Sequence, residues 1–136
     1  RFNQAWILDP TNENVFWGFG GIYFTFGDYA AANKQYNEGL AINAKSSNIL
    51  TDMASVHMSL YELNKNEKEL NKAIESFKKA VVSDRKNQNT LYKISVAYFY
   101  KNDCTNAWFF YDKCKNLGGK PITTDFTKAL NAKCKR

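Results

Sequence analysis

Apolar and aromatic residues in this chain recur three and four positions apart, the spacing of one face of an α-helix, and do not alternate as in a strand. Three stretches share one form, a small residue with apolar or aromatic neighbours one position before and three after. They are Phe16-x-x-Phe19-Gly20-x-x-Tyr23, Leu50-x-x-Met53-Ala54-x-x-His57 and Leu91-x-x-Ile94-Ser95-x-x-Tyr98. Each is followed by a second stripe that opens on alanine: Ala32 with Tyr36, Ala73 with Phe77, Ala107 with Tyr111. The first column steps by 34 residues from Gly20 to Ala54 and by 41 from Ala54 to Ser95. Pro10, Ala44, Arg85 and Gly119 step by 34, 41 and 34. Two independent columns therefore report one period and place one seven-residue insertion in the same row.

This pattern predicts helices near 13–26 and 29–42, 47–64 and 69–83, 88–101 and 104–117, with a last helix near 123–134. The leading Phe2-x-x-Ala5-x-x-Leu8 has the spacing of one more helix, cut short before Pro10. Leu117-Gly118-Gly119-Lys120-Pro121 carries the signals of a helix stop, and Thr123 or Thr124 those of the next N-cap. The last helix has Phe126, Ala129, Leu130 and Cys134 on one side and Lys128, Asn131, Lys133 and Lys135 on the other, as a terminal cap requires. The insertion falls near 60–70, where Asn64 to Glu69 is polar, and is expected to lengthen the middle hairpin.

These rows resemble the tetratricopeptide repeat, a 34-residue helix–turn–helix with the pattern W-x2-L-G-x2-Y, A-x3-F, P. The first row is the best match and includes the turn Gly27-Asp28-Tyr29. The resemblance implies an all-α fold, a right-handed α-α superhelix of stacked antiparallel hairpins with a C-terminal capping helix. The whole chain, 1–136, reads as a single domain: 1–12 ends a preceding repeat, 13–46, 47–87 and 88–121 are three repeats, and 122–136 is the cap. Small residues let paired helices approach, and large ones fill the space between hairpins, each of which leaves an apolar face for its neighbour.

In such repeats the first helices line a concave groove that takes peptides or helices. The resemblance puts Trp17, Gly21 and Phe24 there from the first repeat, Thr51, Ser55 and Met58 from the second, and Tyr92, Val96, Phe99 and Tyr100 from the third, with Asp52 and Lys93 at the rim; the alternative is that Trp17, Phe24 and Phe99 pack against neighbouring repeats or the upstream helix. Some relatives clamp a C-terminal carboxylate with cationic and amide side chains. Here the matching positions hold Trp17, Gly21, Ser55, Tyr92 and Val96, so an apolar or mixed ligand is expected. Gly18 and Gly21, mid-helix, either admit a close approach to the backbone or are tolerated for packing reasons elsewhere.

Composition narrows the function further. No stretch reaches the roughly 20 apolar residues of a membrane span. Net charge is +6, split unevenly: residues 1–64 carry three Lys/Arg against six Asp/Glu, and residues 65–136 carry sixteen against seven. A basic half suits a solvated helical surface first and nucleic acid second. The one histidine, His57, occupies the column of Tyr23 and Tyr98 and reads as a packed side chain. Cys104, Cys114 and Cys134 lack zinc spacing, and no phosphate loop or nucleophile–base pair is visible. No metal, cofactor or catalytic residue is expected. An antiparallel last helix would bring Cys134 to Cys104, so these two are the candidate disulfide, while Cys114 reads as a buried thiol.

The expected function is a protein- or peptide-binding scaffold and not an enzyme. The alternative is self-association through an open N-terminal end. A disulfide would point to export, and abundant Asn and Lys to a bacterial, cell-envelope source.

Overall fold

The computed structural model describes residues 11–136, and all regular structure among them is helical. The short N-terminal helix expected around Phe2 to Leu8 lies outside the described residues. The helices are α1 (Glu13–Thr25), α2 (Tyr29–Ile42), α3 (Ser47–Asn64), α4 (Glu67–Ser83), α5 (Gln88–Tyr100), α6 (Cys104–Asn116) and α7 (Thr124–Lys133). Contacts group them into two compact units, one carrying α1 to α4 and ending at Ser83, the other carrying α5 to α7 over Asp84–Arg136.

Local chemistry sets the helix ends. Asn12, Asp28, Ser46, Asn87, Asp103 and Thr123 each accept a backbone N–H of the following first turn, satisfying donors that the helix leaves unpaired. Two hairpin turns are built alike. In α1–α2 the N–H groups of Gly27 and Asp28 donate to the carbonyls of Phe24 and Tyr23; in α5–α6 those of Asn102 and Asp103 donate to Phe99 and Tyr98. Gly27 and Asn102 have positive φ, 77° and 65°, which glycine and asparagine tolerate best. The next residue is in both turns the aspartate that caps the following helix. One dipeptide thus stops one helix and starts another.

The middle hairpin shows where the insertion goes. α3 has 18 residues against 13 in α1, and α4 has 17 against 14 in α2. The turn shrinks from Phe26-Gly27-Asp28 to Lys65-Asn66, which balances the seven extra residues. The polar segment Asn64–Glu69 is therefore mostly helix, and only Lys65-Asn66 turns, with Lys65 left-handed at φ 56°. The added turns leave Leu63 exposed.

The paired small columns form the hairpin seams. Ala32, Ala54, Ala73, Ser95 and Ala107 have no exposed surface, and Gly20 is buried. A Cβ on Gly20 would lie 2.2 Å from the Tyr36 ring, so α1 and α2 close only because that position has no side chain. Gly39 has the same role against Ile49 of α3, where a Cβ would come within 2.6 Å. In the third hairpin the Ser95 hydroxyl donates to the Ala107 carbonyl at 2.7 Å, joining the two small residues of that seam. Around these seams pack Ile49, Val56, Leu70 and Phe77 in the first unit, and Leu91, Ile94, Tyr98, Tyr111 and Leu130 in the second.

Candidate functional site

The candidate site residues are set out on the first helices of each unit. On α1, Trp17, Gly21 and Phe24 follow at the i, i+4, i+7 spacing that puts them on one face. Trp17 and Phe24 are half-buried, with their inner sides against the cluster of Ala32, Tyr36, Ile49 and Val56. Gly21 is open: a Cβ there would meet nothing within 4 Å among the described residues. The α1 face is thus a notch with an indole on one side and a phenyl ring on the other. The same holds for Gly18, so neither glycine is required by packing among the described residues.

The Trp17 indole N–H donates to Asp52 Oδ2 at 2.6 Å, joining α1 to α3. A half-buried carboxylate bonded to an indole fixes the orientation of the ring that it touches. Ser55 lies one turn along from Asp52, its hydroxyl donating to the Thr51 carbonyl of its own helix. Thr51 and Met58, expected on the open face, are buried at 1% and 8% exposure. α3 packs on α1, α2 and α4, so it buries more of its circumference than the single stripe read from the repeat.

Beneath this face lies Tyr36. Burial, and secondarily the Asp52 carboxylate, hold its phenol well above the ordinary tyrosine range. The unfolded chain releases this proton near pH 10 while the folded unit retains it. The contribution of Tyr36 to stability is therefore complete below about pH 10 and is lost as pH rises toward the folded value. The melting temperature of the first unit is expected to fall above about pH 10, and Tyr36→Phe to remove that part of the fall. Circular-dichroism melts across the alkaline range check it.

In the second unit Tyr92, Lys93, Val96 and Phe99 of α5 are half-buried, and Tyr100 is exposed. The structure gives two of these rings an internal partner on the last helix. Phe126 of α7 meets Tyr92 and Phe99 edge-on, each at 5.6 Å between centroids, and Tyr111 at 6.3 Å. Lys133 lies 4.3 Å from the centre of the Phe99 ring and donates to the Phe99 carbonyl. Tyr92 and Phe99 are thus part of the seat of the last helix as well as of the α5 face.

That helix is tied down at its far end. Cys104, at the start of α6, is disulfide-bonded to Cys134, which caps α7. The Trp108 indole donates to the Cys134 carbonyl. Arg136 stacks 3.8 Å over the Trp108 ring and forms a two-pronged bridge to Asp112. Cys114 is a buried free thiol, 3.4 Å from the Gln88 carbonyl, and burial pushes its pKa up. His57, read as a packed side chain, lies 3.0 Å from Glu69 across the middle hairpin. Among the described residues no cluster of His, Cys, Asp or Glu is arranged to hold a metal, and no helix is long and apolar enough to cross a membrane.

No family model matches the chain, and no curated protein matches it. Solved structures do. The first TPR domain of Spaghetti (RPAP3), bound to the HSP90 peptide SRMEEVD, superposes with a TM-score of 0.77 at 22% identity, covering 92% of each chain. The Sgt2 TPR domain from Aspergillus fumigatus gives 0.74 at 19% identity, over 89% of this chain and 76% of that one. MamA gives 0.72 at 20%, over 88% of this chain and 66% of its own. The chain has a tetratricopeptide-repeat fold. At these identities the likeness is one of fold. Within the tetratricopeptide-repeat frame, Gly20 with Ala32, Ala54 with Ala73, and Ser95 with Ala107 are the paired small positions of three hairpins.

Proposed function

We propose that this chain is a scaffold without catalytic activity that holds a peptide or helix of another protein on the open faces of its first helices. The observation that carries this reading is the α1 notch. Gly21 leaves open space between two half-buried aromatics, and Trp17 is oriented by Asp52. Aromatic rings that are already immobilised lose little entropy on binding, and such residues dominate contact surfaces. The fold supports the reading, because the RPAP3 domain of the same fold holds an HSP90 peptide.

The ligand class differs from a clamped carboxylate. Trp17, Gly21, Ser55, Tyr92 and Val96 stand where a clamp needs cations and amides. An apolar or mixed segment matches the α1 notch; in the second unit the exposed parts of Tyr92, Phe99 and Tyr100, with Lys93 and Val96 beside them, offer a separate face of the same kind. The Cys104–Cys134 bond fits a protein that folds in an oxidising compartment, and hence export.

The test uses a substitution that spares the core. Gly21→Gln fills the notch, starts from a Cβ that meets nothing within 4 Å among the described residues, and improves helix propensity by up to about 1 kcal/mol. In affinity capture from the native source, Gly21→Gln is expected to lose the main captured proteins while melting at or above the parent temperature. An unchanged captured set would remove the α1 face from the site.

A further inference from the structure

Away from the first-helix faces, the second helices α2 and α4 border a cleft that the proposed function does not use. It consists of two hollows, of about 560 and 280 Å³, that share Leu50 and Lys79 in their lining. Leu40, Leu50 and Met53 form its floor. Lys45, Lys72, Lys78 and Lys79 stand around it, with Glu75 the one acidic group in the lining. The walls are pinned: Ser47 donates to the Ala80 carbonyl, Ser76 to that of Leu50 and Ser83 to that of Lys45.

We infer that this cleft binds an acidic peptide whose carboxylates alternate with aliphatic side chains. Charge complementarity is the first ground. Glu75 is paired with Lys79 at 3.7 Å, and among the described residues Lys45, Lys72 and Lys78 form no ion pair. Part of that charge offsets the carbonyl ends of α2 and α4, which finish at Ile42 and Ser83 beside the larger hollow. A helix end carries only about half a charge, so two ends leave a surplus of positive charge. The floor is the second ground. Leu40, Leu50 and Met53 are aliphatic or thioether, and the one ring in the lining, His57, is mostly buried and held 3.0 Å from Glu69, which leaves no open ring face on which a nucleic-acid base could stack. Nor do the lining lysines, on long flexible stems, form a cradle for an isolated phosphate. Val82, 74% exposed at the lip, adds apolar surface for a leucine-like side chain.

The experiment is fluorescence anisotropy with a short labelled peptide of alternating glutamate and leucine on the intact chain. Binding is expected to weaken as salt rises, since the lysines are exposed. The Lys45→Glu/Lys78→Glu variant should weaken it on the order of tenfold or more while the chain keeps its cooperative melt, lowered only slightly by the charge reversal near the helix ends. Gly21→Gln should leave it unaltered. Four results would overturn the inference: no binding by the parent chain; equal binding of a lysine–leucine peptide; preference for a single-stranded oligonucleotide; or loss with Gly21→Gln and not with the charge reversal. The last would return the peptide to the α1 face and leave the proposed function standing.

Discussion

Replacing Tyr36 by alanine is expected to destabilise the first unit by about 3–5 kcal/mol, the range for deleting a large buried ring. Tyr36 is 1% exposed, on the inner face of α2, against the α1 position that has no side chain. Its contacts include the cluster that seats Trp17 and Phe24, so the loss should reach the candidate binding face. Gly20→Ala attacks the same contact from the other helix. Its Cβ would stand 2.2 Å from the ring, and ring and helix must separate. Overpacking of this kind costs about 1–3 kcal/mol, against a gain of up to about 1 kcal/mol in helix propensity. The decisive result is a change of sign. In the Tyr36→Ala background the clash is gone, and Gly20→Ala should become neutral or stabilising. Urea denaturation of the four species measures the coupling. Purely additive effects would mean that Gly20 is not there to admit the ring.

The second large effect is loss of the Cys104–Cys134 bond. Its 30-residue sequence separation closes a loop whose release is worth about 3.5 kcal/mol in the chain-entropy account. The bond joins the start of α6 to the end of α7, so it ties the last helix to its seat. The double substitution Cys104→Ser/Cys134→Ser is expected to lower the unfolding free energy of the second unit by an amount of that order, and the denaturation midpoint with it. Burial of Phe126 and Leu130 should keep α7 docked at low denaturant. Intact mass before and after reduction establishes the bond first, and an unchanged midpoint in the serine variant would show that packing alone holds α7.

The fold was legible because the hairpin seams demand small residues at a fixed period, and that demand shows in the letters Gly20, Ala54 and Ser95 without further context. Helix ends were legible for the same kind of reason, since Gly27-Asp28 and Asn102-Asp103 are local solutions to a local problem. What escaped depended on contacts distant in sequence. Ser95 looks merely small until its hydroxyl is seen on the Ala107 carbonyl. Trp17 and Asp52 are 35 residues apart, and nothing local in either helix announces the bond between them. The engagement of Tyr92 and Phe99 by Phe126 depends on where the segment after α6 delivers α7, which repeat spacing does not specify. The middle turn was read too long because a left-handed lysine at 65 has no composition signal.

Once Cys104 and Cys134 are joined, the chain's three cysteines leave a single thiol, Cys114, with no exposed surface. A thiol-reactive dye can therefore reach only molecules in which the second unit has opened. The labelling rate becomes a stopwatch for that event, independent of spectroscopic signals summed over the helices of both units. Compared with the global melt, it reports whether the two units come apart together or one before the other.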